Sequence, residues 1–171
     1  MNILVVVDMQ NAFIDGSLGT EEAQRIVPEV VKKIQTFDGI VFATRDTHEE
    51  NYLETAEGKK LPVRHCIRGT EGWQIRQEIS DLLTEAPVDK VTFGSRELVK
   101  KLEQIQEETS IESITLIGLC TDICVISNAM LCKAFLPEVP VQVDASCCAG
   151  VTVESHMQAL EAMKMCQIDI L

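Results

Sequence analysis

Positive charge is in short supply in this chain. Fifteen lysines and arginines stand against 27 aspartates and glutamates in 171 residues, for a formal net charge of −12. That balance repels phosphate backbones and anionic lipid surfaces, so it argues against nucleic-acid or membrane binding by electrostatic attraction and leaves small molecules or proteins as partners. Also missing is any apolar run approaching the roughly 20 residues that span a bilayer. The run ILVVVDMQ near the start has no basic segment before it and is interrupted by Asp8, so it reads as a buried strand in a cytoplasmic protein. There is no internal repeat, linker or low-complexity tract, and no disulfide framework either. Seven cysteines are an odd count, scattered through apolar segments of a chain too large to need such staples, so most should be reduced thiols in the core.

What is present is the composition of a soluble globular chain, 46% hydrophobic and 25% charged, of a length that suits one domain over residues 1–171. Six short β-branched runs, NILVVV, GIVFAT, VDKVTF, ESITLIG, VPVQVD and CQIDIL, alternate with longer segments of helical period. Near-continuous apolarity in ILVVV and ITLIG indicates burial on both faces. Ser95 and Thr152 are placed to cap helices, and a further helix is expected to become regular only near Pro28. The expected architecture is a doubly wound α/β fold, a mainly parallel six-stranded sheet with helices on both faces, whose ligands bind outside the carboxyl ends of the strands. Polar residues occur at those ends: Asp8, Asp46, the segment TDIC and Asp144. One irregular stretch, Asp46 to Trp73, is long enough to suggest a functional loop.

Within GLCTDICV, Cys120 and Cys124 admit three readings: a nucleophile with a bystander, two metal ligands, or two buried small hydrophobes. A C-x-x-x-C pair lacks the second ligand pair of a zinc site. Cys124 falls at a strand-to-helix turn opened by Thr121 and Asp122, where the positive end of the helix would lower its pKa and favour the thiolate. Cys120 lies on the turn itself and can offer its backbone N–H. Asp8 closes an apolar run in which burial should raise its pKa, which suits either a proton carrier or a turn residue. Lys90 opens the third strand, pointing to solvent or into the site as a counter-charge. The long loop carries Asp46, His48 and His65, a reasonable set for zinc, iron or manganese or an incidental part of a hydrated acidic loop. The third histidine, His156, in a late helix, reads as incidental.

Taken together, VVVDMQNAF, ATRDTHEEN, LPVRHCIRGTEGW, VDKVTFGS and GLCTDICV resemble the isochorismatase-like cysteine hydrolase superfamily and, within it, the nicotinamidases, with the motifs in the family's order. The resemblance implies a triad of Asp8, Lys90 and Cys124, with Cys124 as nucleophile, Asp8 as proton carrier and Lys90 holding both. It implies an oxyanion hole from the backbone N–H groups of Cys120 and Cys124, often with a cis peptide before the first, here Leu119 to Cys120. It further implies a divalent metal ion held by Asp46, His48 and His65, with Glu57 or Glu54 as the remaining ligand. The reaction implied is hydrolysis of nicotinamide or a related small carboxamide through a thioester, by a homodimer or higher homo-oligomer.

One departure concerns the substrate pocket. Phe13 matches a pocket aromatic, but the large aromatic that nicotinamidases place before the last metal histidine is replaced by KKLPVRH, which offers Leu61 or Pro62; Trp73 lies on the other side of His65. Two other readings therefore stand beside the first. One is a family hydrolase for an N-carbamoyl compound or an isochorismate-like vinyl ether. The other is a non-enzymatic flavodoxin-like receiver domain, in which Cys124 has no role.

Overall fold

A computed structural model describes residues 1–171. Six strands, β1 (Asn2–Val7), β2 (Ile40–Asp46), β3 (Val88–Lys90), β4 (Ser113–Leu119), β5 (Val141–Ala149) and β6 (Asp169–Ile170), form one sheet in the order β3-β2-β1-β4-β5-β6. Every neighbouring pair is parallel. Seven helices connect them: α1 (Asn11–Ile14), α2 (Glu21–Thr36), α3 (Ala56–Lys60), α4 (Gln77–Ser80), α5 (Arg96–Glu108), α6 (Ile126–Phe135) and α7 (Val153–Met165). No helix is long and apolar enough to cross a membrane.

Side chains of a strand alternate between faces, and β1 feeds two cores in this way. Ile3, Val5 and Val7 pack with Leu98 and Leu102 of α5, Ala129 and Cys132 of α6, and Leu160 and Met163 of α7. Leu4 and Val6 pack on the other face with Ala23, Ile26, Val30 and Ile34 of α2. Helices thus cover both faces, and the central strands are apolar throughout because neither side meets water.

Four local expectations are corrected. α2 starts at Glu21, capped by the Thr20 hydroxyl accepting the Ala23 N–H at 3.0 Å, and runs through Pro28. Proline is tolerated there because it and Gln24, whose carbonyl it leaves unpaired, both lie on the solvent face. The third strand ends on Lys90 instead of beginning there. β5 continues past Asp144 to Ala149, with a register irregularity between Leu116 and Gly118 of its partner β4. Asp144 therefore sits mid-strand, where its Oδ2 accepts from Lys33 Nζ at 2.7 Å, and it takes no part in the strand-end cluster. Finally, the stretch from Asp46 to Trp73 is not irregular throughout, since it carries the 3-10 turns Tyr52–Glu54 and Glu71–Trp73 as well as α3. Ser95 and Thr152 cap α5 and α7 as expected.

Candidate active site

The parallel register brings the carboxyl ends of β1 to β4 together, with Asp46 directly beside Lys90 and Val7 beside Gly118. Asp8 follows β1 with a positive φ of 47°, a conformation that aspartate tolerates better than most side chains. Its carboxylate is buried, accepting from the Thr44 hydroxyl at 2.7 Å through Oδ1 and meeting Lys90 Nζ at 2.6 Å through Oδ2. Lys90 is 3% exposed, contrary to a solvent-facing lysine. Its ammonium also donates to Asp46 Oδ1 at 3.2 Å, to the Thr92 carbonyl at 3.0 Å and to Cys124 Sγ at 3.5 Å. Two carboxylates and a thiol therefore converge on one cation, and although burial works against that cation, Asp8, Cys124 and Asp46 outweigh it and hold Lys90 charged.

Cys124 lies in a π-helical turn, Thr121–Val125, that precedes α6. Thr121 and Asp122 do not cap it; Cys120 occupies that position without a side-chain hydrogen bond. The expected lowering of the Cys124 pKa is reversed. Burial first, and then the adjacent Asp8 carboxylate, push the thiol well up against the pull of Lys90. A helix end contributes only a partial charge, which does not match complete desolvation plus a full negative charge beside the sulfur. Burial likewise raises Asp8, with Lys90 opposing. Burial thus favours the protonated form of the Cys124 thiol and makes the Asp8 carboxylate beside it more basic. The Leu119–Cys120 peptide is cis, as the resemblance implies. The Cys120 N–H donates to no other backbone group.

Beside this cluster, one donor atom each from Asp46, His48, Glu57 and His65 lies within 4.8 Å of the others. Glu57, on α3, is brought in, while Glu54 is exposed and is not part of the group. Two imidazole nitrogens and two carboxylates suit zinc, iron or manganese. Burial raises Glu57, with Asp46 adding to the rise and His48 opposing, whereas hydrogen bonds from His48 and His65 and the charge of Lys90 overcome burial to hold Asp46 far below the usual range. Crowded carboxylates of this kind are what a divalent cation relieves, so the residues fit such an ion.

Several supports of this group escaped sequence reasoning. His65 Nδ1 bonds the Val63 carbonyl at 2.7 Å, which leaves Nε2 toward the carboxylates. Gln10 clips the Asp46 backbone, accepting its N–H at 2.7 Å and donating to its carbonyl at 2.8 Å. Tyr52, fully buried, packs against His48 and His65 with ring centroids 4.7 and 5.0 Å away and donates to the Leu61 carbonyl at 2.9 Å. It is the chain's single tyrosine, the one signal that could have drawn notice.

A cavity of about 240 Å³ adjoins both clusters. Phe13, Leu18, Leu61, Phe93, Ile123 and Val151 form its apolar walls, and Cys120, Cys124, Asp46, Glu57 and His65 border its polar side. Phe13 and Leu61 were expected there; Phe93, which follows Lys90 by three residues, was not. Trp73 does not line it. Its indole lies under the Arg45 guanidinium at 3.5 Å and donates to Thr47. His156, read as incidental, bonds Thr121 at 2.7 Å.

Residues 2–171 match the family model described as the isochorismatase domain. Among curated proteins, the nicotinamidase/pyrazinamidase of Mycobacterium tuberculosis is 23% identical, with 99% of this chain and 98% of that protein covered. Among solved structures, the pyrazinamidase of Pyrococcus horikoshii in complex with zinc is 27% identical with a TM-score of 0.81, covering 99% of this chain and 98% of that one. The nicotinamidase PncA from Bacillus subtilis is 26% identical, also with a TM-score of 0.81 and the same coverage. The receiver-domain reading has no support in these likenesses, and a family match that runs from Asn2 to the last residue means that the chain belongs to the isochorismatase family.

Proposed function

We propose that the protein is a cysteine-dependent amidohydrolase that converts nicotinamide, or a closely related small carboxamide, to the acid and ammonia. The observation that carries this reading is the convergence of Asp8, Lys90 and Cys124 beside the Asp46, His48, Glu57 and His65 quartet on one small cavity. Relatives described as nicotinamidases and pyrazinamidases support the substrate class. Seven unpaired thiols fit a cytoplasmic location.

In the proposed reaction Asp8 takes the thiol proton as the Cys124 sulfur attacks the amide carbonyl, and Lys90 balances the charge that develops between them. The tetrahedral oxyanion faces the N–H groups of Cys120 and Cys124. Collapse breaks the C–N bond, and the departing nitrogen receives the proton from Asp8 and leaves as ammonia. Water, deprotonated by Asp8, then attacks the thioester carbonyl; the C–S bond breaks, the acid is released, and the proton returns to the sulfur. A divalent ion held by Asp46, His48, Glu57 and His65 would supply a Lewis-acidic position that suits the lone pair of a pyridine-type nitrogen.

The cavity walls discriminate among family substrates. No lysine or arginine lines the cavity, so a substrate carrying its own carboxylate, such as an N-carbamoyl acid or isochorismate, would have only a bound divalent ion to pair that charge. Phe93 and Phe13 supply aromatic surface that the segment before His65 lacks. The test is ammonia release from nicotinamide, pyrazinamide, benzamide and an N-carbamoyl amino acid by wild type and Cys124→Ala, with metal content measured on the same preparation. We expect turnover of the two nitrogen heterocycles and a loss of at least about 10³-fold in Cys124→Ala. No ammonia from any amide, or an undiminished Cys124→Ala, would overturn the proposal.

A further inference from the structure

The turn that presents Cys120 and Cys124 has no side-chain cap at its start. Two consecutive side chains of the turn are tied instead to a segment some thirty residues later, Asp122 to Val151 just before α7 and Thr121 to His156 in its first turn. Thr121 is fully buried, and its Oγ1 lies 2.7 Å from His156 Nδ1, the sole side-chain hydrogen bond that either residue makes. Asp122 accepts the Val151 N–H at 3.1 and 3.3 Å through its two oxygens. The platform is itself braced. Thr152 and Ser155 form a reciprocal capping box at the first turn of α7, and a Cβ at Gly150 would stand 2.9 Å from His156 Cβ and from its N, so only glycine lets the chain pass this close.

Cys124 has separate anchors. Asn128 Nδ2 donates to its carbonyl at 2.8 Å, and Lys90 meets its sulfur. The start of the turn therefore leans on α7, whereas the nucleophile leans on α6 and the lysine.

We infer that His156 is a positioning residue for oxyanion binding: through Thr121 it fixes the direction of the neighbouring Cys120 N–H. The inference rests on the reaction proposed above, in which that N–H faces the oxyanion. A misdirected donor weakens an interaction made only as negative charge develops, so the loss falls on kcat and leaves substrate binding nearly untouched. Alkylation of Cys124 by iodoacetamide displaces iodide without forming an oxyanion, and it therefore reads the nucleophile alone.

The experiment compares wild type with His156→Ala, Thr121→Val, the double variant and His156→Asn, whose amide reaches the position of Nδ1. Ammonia release from nicotinamide, Cys124 alkylation followed by peptide mass spectrometry, and thermal melting are measured on the same samples. For His156→Ala and Thr121→Val we expect kcat to fall about tenfold, with KM within about twofold and the alkylation rate unchanged. The double variant should be no worse than the poorer single one, and His156→Asn should recover most of the rate. Should His156→Ala fail to fold, Thr121→Val and His156→Asn carry the test. Undiminished kcat, additive losses, alkylation falling in parallel, or losses that track only the unfolded fraction would overturn the inference. A wild type that releases no ammonia from any amide would instead remove the reaction on which it rests.

Discussion

Cys120 and Cys124 stand on one turn and offer different groups, a backbone N–H from the first and a sulfur 3.5 Å from an ammonium from the second. Cys120→Ala keeps its N–H, so it should retain activity within about threefold, a range that leaves room for the changed pocket wall. Cys124→Ala should lose activity altogether, and ammonia assays on the two variants check the contrast. Asp144 makes a second residue-level prediction through its bond to Lys33. Burial would raise its carboxyl, but Lys33 and Ser146 hold it below the ordinary 3.8. A depressed folded-state pKa stabilises fully above the unfolded value, and the contribution disappears as pH falls through the folded one. Asp144→Asn should therefore cost about 1 kcal/mol at neutral pH and nothing in acid well below 3.8, as read from urea melts at both conditions. Residue placement was legible where the chain wrote it at strand ends, as with Asp8 and the TDIC segment, but the direction of the Cys124 shift was not, because burial and Asp8 outweigh the helix end. Asp144 misled because a bulge lengthens its strand, and His156 because its partner lies 35 positions away.

At the scale of elements, the end of β4 matters most. Gly118 has a φ of +113°, and a Cβ there would lie 2.2 Å from the Val7 carbonyl oxygen of the neighbouring strand. Gly118→Ala should destabilise the fold by about 3 kcal/mol and lower activity with it, because the strand that delivers Cys120 cannot keep its place beside β1. Chemical denaturation measures the first effect. The helices themselves were legible from period and caps. Pro28 could not signal that its helix begins seven residues earlier, since the cost of a lost hydrogen bond depends on whether water can replace it. The π-helical geometry at Cys124 was equally invisible, since it arises when Val125 rather than Cys124 donates to the Cys120 carbonyl.

At the scale of the whole molecule, the quartet joins the end of β2 to the loop that follows it, so a bound cation should stabilise that loop against the sheet. At a hundredfold excess over its Kd, a ligand specific for the folded chain contributes about 2.7 kcal/mol, or roughly 5–10 °C in Tm at this size. Zinc added to chelator-treated protein should raise Tm by that order, and His48→Ala should abolish the response, whatever the enzyme's activity. Sheet class and the location of the site followed from strand and helix alternation, because ligands of such sheets gather at strand ends. Loop supports such as Gln10 and Tyr52 did not, because their roles exist only once the loop has closed over the histidines. The strand order has another outcome. The two edges of the sheet are its shortest strands, three residues in β3 and two in β6. Few backbone groups are thus left open to recruit a foreign chain, and a sheet whose centre is almost wholly apolar is guarded against growing into an aggregate.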